Sequence, residues 1–241
     1  MSDIEKIINN AWENKDQINP NSDAQIKDTI NQIIEDLDSG KIRVAEKISG
    51  EWITHQYIKK AIMLSFRIHG MEALSGPYSS WYDKSHLLKG KTAGWTKEDH
   101  EKAGFRNPPN SPIRKGSFIG KNAVLMPCYV NIGAYIDEGT MIDTFARAGS
   151  CCQIGKNCHI SAGSGIGGVL EPAQALPTII EDNVFVGFST VFCSLICPGK
   201  SCFLFGILSV CWSTVLSGAL EANYNWAFGW FIFDDCPLFS D

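Results

Sequence analysis

Residues 151–160 read CCQIGKNCHI, three cysteines and a histidine within ten positions. Thiolates and an imidazole so closely spaced are the donor types of a tetrahedral zinc site. The surrounding pattern argues for another use. Phe118, Val124, Val130, Ile136, Ile142, Ala148, Ile154, Ile160 and Ile166 recur every six residues. Two places ahead of these, from 122 onward, stand Asn122, Cys128, Ala134, Thr140, Ala146, Cys152, Cys158 and Ser164, all small. Cys128, Cys152 and Cys158 belong to that small series. Adjacent positions on a flat strand point to opposite sides, so these side chains do not converge on one ion. Cys151 and His159 lie beside series positions and are expected to face outward, His159 as a surface strand histidine rather than a catalytic base. No metal site is expected.

Two locked series of period six match neither a helix nor an alternating strand. They fit a triangular solenoid in which each hexapeptide makes one flat face and three faces complete a coil. The aliphatic series fills the interior, and the small series sits where faces converge. Gly133, Gly139, Gly149 and Gly155 fall near the turns, where a missing Cβ relieves crowding. The stretch GIGGVLEPAQALPT breaks the register and reads as a loop thrown out of the solenoid, placed to fold over a cofactor arm.

The preceding segment reads as helix, hairpin, helix. Ile4, Ile7, Ile8, Ala11 and Trp12 share one helical face, as do Ile26, Ile30, Ile33, Ile34 and Leu37, with Ser22 or Asp23 as cap and Gly40 as stop. IRVAEKI and EWITHQ flank Ser49-Gly50 as a hairpin, and a third helix is expected over 57–68. Residues 70–112, rich in Gly, Pro, Ser and charge, read as a connector with one short helix near 96–103.

The 241 residues carry a net charge of −5, with 44% hydrophobic and 20% charged side chains. This suits an ordered soluble chain and argues against a nucleic-acid binder, which needs a basic face. The first twenty residues lack the apolar core of a signal peptide, so a cytoplasmic, reducing setting with free thiols is expected.

The segments RVAEKISGEWITHQYIKKAIMLSFRI, AGFRNPP, LMPCYVNIGAYIDEGTMIDT, GSCCQIGKNCHIS and GIGGVLEPAQALPTIIEDN carry a closer signal. Over about residues 1–187 they resemble the tetrahydrodipicolinate N-succinyltransferase family of hexapeptide-repeat acyltransferases. The resemblance implies a mainly β fold: a left-handed parallel β-helix behind an α-helical N-terminal domain. It implies homotrimers with sites between subunits and succinyl transfer from succinyl-CoA to the amino group of a ring-opened dicarboxylate in lysine biosynthesis. It implies no tightly bound cofactor, and places Arg106 of GFR and Asp143 of MIDT at substrate-binding positions; the chemistry of the reaction makes Asp143 the candidate catalytic residue as well. A guanidinium can grip a carboxylate through two parallel hydrogen bonds, and a carboxylate can hold an attacking amine and help receive its proton. An inactive trimeric scaffold and an acyltransferase acting on a sugar nucleotide are the alternatives.

The expected division is 1–104 helical domain with hairpin and connector, 105–187 β-helix, and 188–241 a divergent hydrophobic tail. That tail holds 12 of the chain's aromatic residues and five of its nine cysteines, and Lys200 is the last basic residue. Pro198 would interrupt a solenoid strand, and Val191 stands where the resemblance implies an acidic residue. A change of reading frame near codon 188 is the expected reason. A membrane tail is the lesser account, since residues 201–220 are twenty without a charge but lack basic flanks.

Overall fold

A computed structural model describes residues 2–192 and, beyond them, the strand positions 196–197, 203–204 and 209–210. Most of the segment expected to diverge, including Pro198, lies outside the described residues.

Three helices make the N-terminal core. Helix α1 (Asp3–Glu13) opens on a Ser2–Glu5 capping box and buries Ile8 and Ala11. Helix α2 (Ala24–Asp38) is capped by Asp23, whose side chain accepts from the Gln25 amide, and buries Ile30, Ile33, Ile34 and Leu37. Gly40, at φ +75°, turns the chain away. Strands β1 (Ala45–Ile48) and β2 (Glu51–Thr54) pair antiparallel across Ser49-Gly50, and α3 (Gln56–Ile68) packs on both earlier helices.

The connector holds more structure than its composition suggests. Strands β3 (Met71–Ser75) and β4 (Ser80–Lys84) form a second hairpin before α4 (Ser85–Leu88) and α5 (Lys97–Ala103). Both strands are mostly exposed, so no buried face imposed a period of two on their sequence.

Among the described residues from Phe118 onward, two-residue strands stack parallel into three five-stranded sheets, the arrangement of a left-handed β-helix. The interior differs from the sixfold reading at its start. Ile119 and Leu125 are buried where Phe118 and Val124 were expected, and these two face outward. The small positions there are Ser117 and Ala123; Asn122 is an exposed corner residue at φ +59°. Leu125 to Val130 is a step of five, taken at the corner holding Pro127, and from Val130 the expected series holds.

A second difference lies at the loop. Ile142 pairs with Ile160 eighteen positions on, whereas Ile160 pairs with Val186 twenty-six positions on. Ile180 therefore follows Ile166 as the next face, and the extra eight residues leave the coil without disturbing its stacking. They fold back onto α3, where the buried Lys59 ammonium donates to the carbonyls of Pro172 (3.0 Å) and Ala175 (2.9 Å). Burial holds the Lys59 pKa below its ordinary value.

Beyond Gly187 the described ladder continues. Val191–Phe192 pairs with Gly165–Ile166, and Ile196–Cys197 with Ile179–Ile180. Within the uncharged run 201–220, Phe203–Leu204 and Ser209–Val210 are further parallel strands. No helix among the described residues is long and apolar enough to cross a membrane.

The helical domain covers one sheet. Arg43 Nε donates to the buried Gln153 at 2.9 Å, and its guanidinium lies 3.8 Å above the Tyr135 ring. Lys47 Nζ and Trp52 Nε1 both donate to Glu181, at 2.6 and 3.0 Å. Cys151 does leave the solenoid interior, yet it is fully buried, because with Ile132 it completes the core of the helical domain. Cys128, Cys152 and Cys158 line the solenoid core.

Burial pushes the Cys128 and Cys151 thiols up to about 12 and Cys158 to about 11, and raises Cys152 likewise. Native protein at pH 8 should therefore leave these four cysteines unlabelled by maleimide, and urea should expose them, as read by peptide-resolved mass spectrometry. The same shifts predict alkaline lability. A thiol raised in the folded state contributes stability below its ordinary value near 9 that is lost as pH climbs toward 12, because only the unfolded chain then releases the proton. Urea midpoints should fall steadily from pH 9 upward.

Candidate active site

The stacking of coils brings distant residues into columns. On one outer face Arg106 bridges to Val124, Val124 pairs with Met141, Met141 with His159, and His159 with Phe185. Asp143 leaves the Met141 strand two residues on, its amide bonded to the Ile160 carbonyl. Arg106 and Asp143 thus share one face but do not touch. Two strand spacings, roughly 10 Å of backbone, separate their coils. The interval is bridged in part by Met126, whose sulfur lies 3.6 Å from Arg106 Nη2 and whose own amide bonds Ile142 in the Asp143 coil.

Arg106 is positioned by its backbone. Its amide donates to the Ala123 carbonyl at 2.9 Å and its carbonyl accepts from the Leu125 amide at 2.8 Å. The turn that follows is fastened by the Ser111 hydroxyl, which donates to the carbonyls of Leu125 and Met126. The guanidinium itself is exposed and carries no ion pair among the described residues. Such a cation can take an anionic ligand without first breaking a salt bridge.

Asp143 is more tightly arranged. Its Oδ1 accepts from the Thr144 amide at 2.6 Å and from the Thr144 hydroxyl at 3.2 Å. Its Oδ2 lies 3.4 Å from Nε2 of His159. The Thr144 amide above all, with support from His159, holds the carboxyl below the usual carboxylate range, so it is ionised at neutral pH. The side chain keeps 29% of its surface exposed, enough for an incoming amine to reach it. Cation and carboxylate on one open face can orient a ligand that carries both an acid group and an amine.

His159, read from sequence as a surface strand residue, is a member of this group. The signal that could have found it is the eighteen-residue coil: His159 stacks directly on Met141, two residues short of Asp143. Val191 lies on the neighbouring sheet, paired with Gly165. Beyond the Asp143 corner, Phe145 and Phe188 are exposed to 79% and 71%, a prominent apolar edge beside the polar group.

The comparisons with known proteins agree with this architecture. Residues 3–68 match the family model described as tetrahydrodipicolinate N-succinyltransferase N-terminal, and residues 133–168 match the bacterial transferase hexapeptide model. The chain is 74% identical over 187 residues to a 2,3,4,5-tetrahydropyridine-2,6-dicarboxylate N-succinyltransferase of Pelagibacter ubique, covering 78% of this chain and 68% of that protein. A protein of the same name from Sodalis glossinidius is 54% identical over 188 residues, with the same two shares covered. Another from Parvibaculum lavamentivorans is 50% identical over 190 residues, covering 78% of this chain and 66% of that protein.

Proposed function

Since the chain belongs to the 2,3,4,5-tetrahydropyridine-2,6-dicarboxylate N-succinyltransferase family, we propose that it transfers succinyl from succinyl-CoA to the amino group of ring-opened tetrahydrodipicolinate. The observation that carries this reading is the shared face of Arg106 and an ionised, well-anchored Asp143. Arg106 binds a carboxylate of the acceptor. Asp143 accepts a hydrogen bond from the acceptor amine, aims its lone pair at the thioester carbon, and receives its proton as the C–N bond forms and the C–S bond breaks. Coenzyme A leaves as the thiol once that proton is returned. Succinyl-CoA enters as a co-substrate, and no resident cofactor is needed for acyl transfer of this kind.

The site works within a cytoplasmic homotrimer. The open outer face, with Phe145 and Phe188 exposed beside it, leaves room for a second subunit to close over the acceptor and cover both rings. The reaction serves lysine biosynthesis through diaminopimelate.

The test is release of CoA thiol by the purified full-length chain, given succinyl-CoA with and without the dicarboxylate acceptor. Acceptor-dependent release at more than tenfold the background is expected. Folded, soluble protein that binds the acceptor without releasing thiol would make the chain an inactive scaffold and end the catalytic reading.

A further inference from the structure

The mechanism above uses Asp143 but gives no task to the imidazole beside it. We infer that His159 is a positioning residue, whose Nε2–H fixes Asp143 Oδ2 so that the carboxylate presents its remaining lone pairs to the acceptor amine. The inference rests on the assignment of Asp143 as the amine-binding carboxylate.

Three observations carry it. The first is the division of labour around the carboxylate. Thr144 occupies Oδ1 with two donors, and both come from the residue next in chain. They leave Oδ2 without a local anchor. His159 reaches Oδ2 from the next coil, 3.4 Å away, and is the side chain that meets this oxygen among the described residues. Donors at both oxygens define the plane of the carboxylate, which one-sided contacts cannot do. A carboxylate has about four lone-pair sites, so capacity for the amine remains.

The second observation is how the ring is held. His159 lies between its column neighbours, Met141 below and Phe185 above. The Phe185 ring meets it edge-on with centroids 5.1 Å apart. Aromatic edge contacts favour a defined ring orientation. The ring is therefore aimed by its own coil stack, and Asp143 is aimed by the ring.

The third is the distance itself. At 3.4 Å the contact is longer than a mature charge-assisted hydrogen bond. Catalytic hydrogen bonds commonly tighten only when the substrate is seated.

Two variants separate the donor from the ring. His159→Gln keeps an N–H donor near Nε2 and loses the aromatic ring; His159→Phe keeps the ring against Phe185 and loses the donor. His159→Phe should raise the acceptor KM about tenfold and lower kcat by a similar factor, leaving the succinyl-CoA KM unchanged. His159→Gln, which keeps the donor but loses the aimed ring, should fall between wild type and His159→Phe in acceptor KM and kcat, with the succinyl-CoA KM unchanged. In an Asp143→Asn background, His159→Phe should have no further effect. Three patterns would overturn the inference: a normal His159→Phe, a His159→Gln as impaired as His159→Phe, or full additivity with Asp143→Asn. The single Asp143→Asn variant keeps the two readings apart. If it alone retains full activity, the assignment of Asp143 has failed; if it is inactive while His159→Phe is normal, only the role of His159 has.

Discussion

Replacing Asp143 by asparagine should lower acceptor-dependent CoA release by about 10²- to 10⁴-fold, the range typical of losing a positioned acid–base group. The substitution is nearly isosteric. Its amide oxygen can still accept from the Thr144 amide, which supplies the 2.6 Å bond in the native site. What disappears is the negative charge and the ability to take a proton. Asparagine would also turn an N–H toward His159 Nε2 where Oδ2 now stands. Because backbone donation already holds the native carboxyl below the usual carboxylate range, it stays ionised through the neutral region. The wild-type rate should therefore not fall between pH 8 and pH 6 through protonation of this group. The measurement is steady-state thiol release for wild type, Asp143→Asn and Asp143→Ala, with folding checked by circular dichroism. Two well-folded variants at wild-type rates would remove Asp143 from the mechanism.

The second large effect concerns stability. Gly149→Ala should cost about 3 kcal/mol or more, at or beyond the upper end for an overpacked core. A Cβ at this position would run into the Gly168 amide nitrogen, with the Ile166 carbonyl oxygen 2.6 Å and the Gly167 carbonyl carbon 2.7 Å away. All three neighbours are backbone, so no side chain can swing aside. The surrounding bonds resist as well, since Gly149 donates to the Ile166 carbonyl at 2.8 Å and Val169 donates to Ser150 at 3.1 Å. These residues are the root of the extruded loop, and its far side is clamped by Lys59. Strain at Gly149 can be relieved only by loosening that clamp or parting two coils. Gly70→Ala is the control: nothing lies within 4 Å of its added methyl and its φ is not positive. Urea unfolding should show a much lower midpoint for Gly149→Ala and little change for Gly70→Ala. Equal midpoints would mean the coil contact is softer than its geometry implies.

The solenoid was legible because one requirement repeats. Each strand must send one aliphatic side chain inward, and each corner must admit only a small one, so Ile136 to Ile166 and Ala134 to Ser164 spell out the fold. The reading slipped where the requirement was met in another way. Phe118-Ile119 and Val124-Leu125 are paired apolar residues, and either member could fill the core by composition alone. Only the shortened corner at Pro127 decides between them. The second hairpin escaped notice because its faces meet solvent and carry no pattern. The partnership of His159 with Asp143 was hidden for a different reason: it depends on which coil lies above which, a relation eighteen residues long that a single hexapeptide does not display. Arg106 and Asp143 were placed by resemblance, and neither is marked by local spacing.

Stacked strands also make this face a ruler. Groups on it are rooted in whole coils, in steps of roughly 4.8 Å, and no substitution moves the backbone under an anchor by a fraction of a step. Arg106 and Asp143 stand two such divisions apart. A ligand gripped at both ends is thus sized first by the backbone, in coarse units, and only afterwards by side chains such as Met126 that occupy the division between them. Acceptors of altered length should be accommodated by exchanging the residue at that middle mark, whereas moving either end would mean rebuilding a coil.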